Sequence, residues 1–362
     1  MKKLWYVLLC AFLIMSCLLT GCRLFESQSE VSSSKVSIVD ASGATVEIPA
    51  NIMRIADGWP AHNEILCMLG AGDKIVATVG VVTQRPWMNK INPQMNKAVA
   101  AFNMSDANLE ALMKEKPDIV FMTLNNKSAK KIADLGIPVV QLTFNDFSSM
   151  KECIRTTGRI LGEEGRQRAE KYIGYLDSKL MLISGRTVNI PQEQKPKVLH
   201  ISSLHPLVVS GKGTFINAWI ETAGGINAAD ISTNMQEVSM ERIVQWNPDI
   251  IIVGNTALPA SDTKDEGRDL GVILNNEEWQ QINAVKNSKV YLNPDGSFLW
   301  DRYGAEAALQ IQWAAKTFYP DKFADIDMLG ETMYFYKTFL NYDLSEKEAK
   351  RILSAMPPED VQ

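Results

Sequence analysis

Histidine is scarce in this sequence, with three in 362 residues (His62, His200 and His205), and no two stand three or four positions apart. A helical pair of metal ligands needs that spacing to bring two imidazoles to one face. No directly bound metal and no cofactor is therefore expected. A site shared by His62 and His205 from distant parts of the chain is the one pairing left open. Enzyme motifs are missing as well. There is no G-x-S-x-G, and Gly70-Ala71-Gly72 lacks the third glycine of a dinucleotide loop. Ser210–Thr214 has Pro206 where a phosphate loop needs its first glycine. His62 and Glu64, two apart at a helix start, do not face each other as an acid–base pair would. A hydrolase would have to use Ser203 or Ser210 as nucleophile, with a base close by. Positive charge is not in excess: 37 basic residues stand against 42 acidic ones, a net charge of −5, which argues against a nucleic-acid binder.

The N-terminal apolar run, Leu4 to Leu19, is on the short side of the roughly 20 residues that a membrane span needs. It follows Lys2 and Lys3 and leads into Thr20, Gly21 and Cys22, the layout of a secretory signal over 1–21. Leu19-Thr20-Gly21-Cys22 resembles the bacterial lipoprotein lipobox, which implies lipid on Cys22 as the mature N-terminus. Removing the signal takes away two lysines and no acids, so the remainder is more acidic still. Of five cysteines, only Cys67 and Cys153 then lie within the folded part. Both fall in predicted helices and read as small core residues, with a disulfide between them left open. The polar, serine-rich residues 22–35 read as a flexible tether.

With 46% hydrophobic residues, the chain has enough to bury two moderate cores. Ser37–Pro49 alternates around Ala41-Ser42-Gly43 and predicts a β-hairpin. Beyond it, strand and helix patterns alternate: strands at Ile52–Ala56, Ile75–Val82, Lys116–Met122 and Ile137–Leu142, with helices at Asn63–Leu69, Ser105–Lys114 and Lys127–Leu135. The same grammar returns in strands at Lys197–Ile201, Asn247–Val253 and Lys289–Leu292, and in helices from Phe215, at Met240–Gln245 and around Trp279. This predicts α/β architecture with mostly parallel sheets. Glu110 and Glu241 each stand seven residues before a Pro-Asp-Ile strand, in EALMKEKPDIVFM and ERIVQWNPDIIIV. A helix–strand unit used twice implies equivalent lobes. Between them Ser148–Arg186 keeps a helical period and reads as one long linking helix, with Gly162 or Gly165 the place where it would break in two. The expected layout is two Rossmann-like α/β lobes, 36–147 and 187–320, a linking helix over 148–186, and a helical tail over 321–362.

Ligands of open parallel sheets bind beyond the carboxyl ends of the strands. Residues that follow strands and suit a binding cleft are Trp59, His62, Arg85, Trp87 and Met88 in the first lobe, and His205, Lys212, Thr214, Trp300, Arg302 and Tyr303 in the second. Guanidinium and ammonium groups between tryptophan walls suit a bulky anion or a chelated metal.

From about Val36 to Leu353 the chain resembles the periplasmic binding proteins of iron-siderophore, haem and cobalamin ABC importers. The resemblance rests on Val39-Asp40-Ala41-Ser42-Gly43, on Arg54 with Glu64 in the next helix, on both Pro-Asp-Ile strands, and on Glu-Val-Ser-Met-Glu ending at Glu241. It implies two α/β lobes on one long helix that move little, and a monomeric, lipid-anchored, extracytoplasmic protein. Such a protein hands a metal complex to an ABC permease. It also implies permease-docking glutamates, by motif position Glu64 and Glu241. Because the tryptophans would wall the cleft, a ferric siderophore ranks first as ligand. Haem, cobalamin, a nickel–histidine complex and molybdate are the alternatives.

Overall fold

The computed structural model describes residues 35–103, 106–258, 268–302 and 304–359, so the expected signal peptide, the lipidated Cys22 and Tyr303 lie outside the described residues. β1 (Lys35–Val39) and β2 (Thr45–Pro49) pair antiparallel as the expected hairpin. Asp40 shapes its turn by accepting the Ser42 N–H at 2.8 Å and seats it by accepting the Gln141 N–H at 3.0 Å.

The first lobe runs β3 (Ile55–Asp57), α1 (Pro60–Met68), β4 (Ile75–Val79), α2 (Gly80–Thr83), α3 (Pro86–Ile91), β5 (Val99–Phe102), α4 (Leu109–Glu115), β6 (Ile119–Thr123), α5 (Ala129–Ala133) and β7 (Val139–Leu142). Its strands lie parallel in the order β5-β4-β3-β6-β7. Strands covered on both faces need no alternation, and β6 accordingly reads IVFMT with its first four residues buried. β5, only four residues long and following a turn, carried no pattern to announce it.

The stretch expected as one helix is two. α6 (Phe147–Ile160) ends at Leu161, and α7 (Glu163–Thr187) restarts after Gly162, whose φ of 90° no helix accommodates. The linking role falls to α7, whose 25 residues span about 37 Å. α6 folds back along it through small residues: a Cβ on Gly158 would come 2.8 Å from Ala169 Cβ and 2.9 Å from the Gly165 carbonyl oxygen. Among the described residues, no helix is long and apolar enough to cross a membrane.

The second lobe runs β8 (Lys197–Leu204), β9 (Leu207–Val209), α8 (Phe215–Thr222), β10 (Ile226–Asn227), β11 (Gln236–Glu237), α9 (Met240–Trp246), β12 (Ile250–Val253), α10 (Gly271–Leu274), α11 (Asn283–Lys286) and β13 (Val290–Leu292). β10, β8, β12 and β13 are parallel, and β9 with β11 adds an antiparallel edge. Trp279 lies in a turn between α10 and α11 rather than in a helix. The duplicated segment is duplicated in structure. α4 and α9 both end on a left-handed residue, Lys116 (φ 46°) and Asn247 (φ 43°). The aspartates that follow tie back to equivalent strands: Asp118 accepts the N–H groups of Met53 and Arg54 just before β3, and Asp249 accepts that of Lys197 at the start of β8.

α12 (Ala307–Phe318), α13 (Met328–Phe339) and α14 (Glu346–Leu353) complete the chain. They carry it back to the first lobe, where the Trp87 indole donates to the Met356 carbonyl and Lys90 pairs with Glu348. Phe335 and Phe339 pack on Tyr172 and Tyr175 of α7, with ring centroids 5.1–6.4 Å apart. One continuous buried cluster therefore includes residues of both sheets, α7 and the last helices, while a smaller one fills the far side of the second sheet.

The α6–α7 contact sets an expectation for stability. Gly158→Ala should lower the unfolding free energy by about 1–3 kcal/mol, because the new methyl overpacks the helix crossing. Gly174→Ala, exposed on α7 with nothing within 4 Å of its Cβ position, should raise it by about 0.5–1 kcal/mol. Urea titration followed by circular dichroism measures both.

Candidate functional site

Residues beyond the strand ends of one sheet meet those beyond the ends of the other. Arg85, which caps the start of α3 after β4, reaches across to the segment after β13 and pairs with Asp295. Its Nε lies 3.4 Å from the Ser297 carbonyl oxygen, and its guanidinium covers the Phe298 ring at 5.4 Å. Asp295 also accepts from the Asn255 side-chain amide just after β12, and Asn255 in turn accepts from Arg268, which donates to the Leu258 carbonyl as well. Two guanidinium groups thus gather around one carboxylate at the carboxyl ends of β4, β12 and β13. Burial holds Asp295 above the usual carboxylate range, partly offset by Arg85, and burial lowers Arg268.

Most other residues expected to line a cleft lie elsewhere. Trp59 is in the core against Phe144, 4.9 Å between centroids, and stacks on His62. His62 is fully buried, its Nδ1 2.9 Å from Asp57 Oδ2 and its Nε2 2.9 Å from Thr157 Oγ1, so it is a core residue with both nitrogens engaged. Trp87 and Met88 are buried, the latter against Cys67 and Ser297. Trp300 is fully buried and donates to Glu306 at 2.8 Å. Tryptophan holds the largest apolar area a side chain can bury, and in all three cases the core takes it. Lys212 is exposed and paired with Asp230 at 2.7 Å, while Thr214 caps α8, accepting the Asn217 N–H at 3.2 Å. His205 is exposed at the β8–β9 turn, on the rim of a cavity of about 640 Å³ within the second lobe, far in character from buried His62. The two histidines do not form a site, and among the described residues no cluster of three His, Cys, Asp or Glu could hold a metal. Arg302 is the remaining cation near the junction, with its Nη1 3.5 Å from the thioether of Met235. Arg85, Trp87, Lys212 and Trp300 therefore do not share one hollow; Arg85 alone of the four reaches across the lobes from a partly open position.

Glu64 is also corrected. It is fully buried on α1, where its Oε2 accepts the Ala305 N–H at 2.6 Å, so it offers nothing to a permease. Beside it is Glu306, equally buried, which accepts from Phe298 N–H and Trp300 Nε1, both at 2.8 Å, and from the Tyr336 hydroxyl. Glu64 is held well above the ordinary glutamate range, first by burial and then by the charge of Glu306, and Glu306 is raised by burial. Two buried carboxyl groups thus meet at the lobe junction, each favouring its neutral form, which no motif signalled. Glu241, by contrast, is exposed in the first turn of α9.

Comparison with known proteins agrees with this architecture. A family model described as periplasmic binding protein matches residues 56–295. The chain belongs to that family. It is 29% identical over 330 residues to YvrC of Bacillus subtilis, an ABC transporter substrate-binding lipoprotein, covering 87% of this chain and 97% of YvrC. It is 24% identical over 363 residues to MolA of Haemophilus influenzae, a molybdate-binding protein, covering 92% and 99%. The crystal structure of a periplasmic solute-binding protein from Veillonella parvula superposes with a TM-score of 0.75 at 28% identity, covering 88% of this chain and 97% of that one. The protein is thus an extracytoplasmic solute-binding component of an ABC importer, working with a permease, and not an enzyme.

The raised Glu64 has a pH signature. A carboxyl pair whose folded pKa lies above its unfolded value contributes stability that is complete in acid and is lost as pH rises through the folded value. Glu64→Gln keeps an acceptor for Ala305 and a donor for Glu306 without a proton to lose. It should leave stability near pH 6 within about 1 kcal/mol of the parent and flatten its decline toward pH 9. Urea midpoints at both pH values test this, and an unchanged alkaline slope would show that Glu64 is not protonated in the folded protein.

Proposed function

We propose that this protein captures a compact anion, of the tetrahedral oxyanion class, at the junction of its lobes and delivers it to an ABC permease from a lipid anchor at Cys22. The observation that carries the reading is the Arg85–Asp295–Asn255–Arg268 cluster at the strand ends, cationic on balance and without the tryptophan walls that a bulky siderophore would need. The similarity to a molybdate-binding protein over almost the whole of both chains supports it. An anionic metal chelate, ferric siderophores included, is the second reading. It is favoured by Arg302 beside the exposed thioether of Met235, an edge both cationic and apolar.

Calorimetric titration with molybdate, tungstate, sulfate, a ferric hydroxamate, haem, cobalamin and nickel–histidine ranks these ligands. Micromolar binding of an oxyanion with none of the chelates is the expected result; the reverse would overturn the first reading. Arg85→Ala should weaken the bound anion by about 1.5–3 kcal/mol, the range of a hydrogen bond to a charged group.

Docking falls to Glu110 and Glu241. They are exposed, occupy the first turns of the duplicated helices α4 and α9, and so present one carboxylate per lobe in equivalent positions. Replacing both by lysine should abolish uptake by cells while leaving ligand affinity within about twofold, since neither bonds a residue of the arginine cluster. Uptake that persists in the double variant would refute this assignment.

A further inference from the structure

Arg85 already has an anion. Asp295 gives it one carboxylate oxygen and gives the other to Asn255, so the donors best placed to greet an incoming ligand are held by the chain itself. The carboxylate is not sealed in, for the side chain keeps 14% of its accessible surface and that of Arg85 keeps 12%. Nor is the local charge balanced. Among the described residues the second guanidinium, Arg268, bonds neutral acceptors, the Asn255 amide oxygen and the Leu258 carbonyl. Asp301, the other carboxylate whose charge reaches Asp295, is committed to His200, 2.6 Å from its Nε2. Behind Asp295, on α14, the contact is the Ile352 carbonyl, and Arg351 is turned away to the Pro357 carbonyl and Glu359.

We propose that Asp295 is a resident counter-anion: an incoming oxyanion displaces its carboxylate from Arg85 and Asn255, and the displaced carboxylate takes up a proton from solvent, so that capture is coupled to protonation. The inference rests on the anion reading above and adds its selectivity. Molybdate or tungstate brings two negative charges to the two guanidinium groups as the one on Asp295 is neutralised by a proton from solvent, with no bond to the ligand formed or broken. A half-buried carboxylate that has lost its cation favours the neutral acid. Burial already biases Asp295 in that direction while Arg85 is still bound. Affinity for anions should then rise in acid and fall in base. A site in which Asp295 merely orients Arg85 would show neither dependence.

The test is isothermal titration of the full chain with sodium molybdate and sodium tungstate in PIPES, HEPES and Tris, whose ionisation enthalpies differ. The parent protein should take up protons as either anion binds, and its affinity should fall as the pH rises from 6 to 8.5. Asp295→Asn should bind about tenfold more tightly than the parent at pH 8, show no proton uptake, and lose the pH dependence. Parent binding without proton uptake, or an Asp295→Asn variant that is folded by circular dichroism and binds more weakly, would overturn the inference while leaving the anion reading intact. Failure of both proteins to bind either anion would instead remove the anion reading, and this inference with it.

Discussion

Two carboxyl groups, one from each lobe, meet in the interior, and among the described residues no cation pairs with either. Burying a charged carboxylate is costly unless it is paired or surrounded by donors, and Glu64 and Glu306 resolve the cost jointly. Burial raises both toward the neutral form, and the N–H groups of Ala305 and Phe298, the Trp300 indole and the Tyr336 hydroxyl supply donors. The chain around the pair has no latitude. A Cβ on Gly304 would lie 2.0 Å from Glu64 Oε2, and one on Gly296 2.1 Å from Glu306 Oε1. Tyr172 of the linking helix adds a third tie by donating to the Ala305 carbonyl at 2.7 Å. Three parts of the molecule are therefore fastened to a single loop.

That loop, from Asp295 to Glu306, also carries the second lobe's contribution to the site. Asp295 and Arg302 lie on its outer side, and the carboxyl pair pins its inner side. A lobe junction held this way is suited to a solute-binding protein that presents a preformed surface to its ligand. The orienting cost is met in folding rather than at each capture. The return of α12–α14 to the first lobe, with Trp87 bonded to Met356 and Lys90 to Glu348, braces the same junction from outside.

The aromatic residues show why the expected cleft walls are not where the sequence placed them. Trp59, Trp87 and Trp300 follow strands, where binding residues of α/β proteins are found, and the position was read correctly in that sense. Position along the chain does not reveal which way an indole points. Trp87 and Trp300 turn inward to hydrogen-bond Met356 and Glu306, partners far away in sequence or hidden in a loop without periodicity. Arg85 is the exception, because a guanidinium that must remain hydrated or paired cannot be absorbed by the core as an indole can. Its partner Asp295 passed unnoticed in Asn-Pro-Asp-Gly-Ser, which has the composition of an ordinary turn.

The sequence by itself determined the α/β class, the parallel sheets, the hairpin and the equivalence of the lobes, because these depend on local hydrophobic period and on a segment used twice. EALMKEKPDIVFM and ERIVQWNPDIIIV specify the same helix, left-handed cap and strand wherever they stand. Only the tertiary structure decided that the long helical stretch folds back at Gly162 and that Glu64 belongs to the interior. It likewise decided that Glu110, rather than Glu64, is the exposed counterpart of Glu241. Each of these turns on burial against residues dozens to hundreds of positions away. A charged or aromatic side chain has no intrinsic preference for one side of a fold until those neighbours arrive.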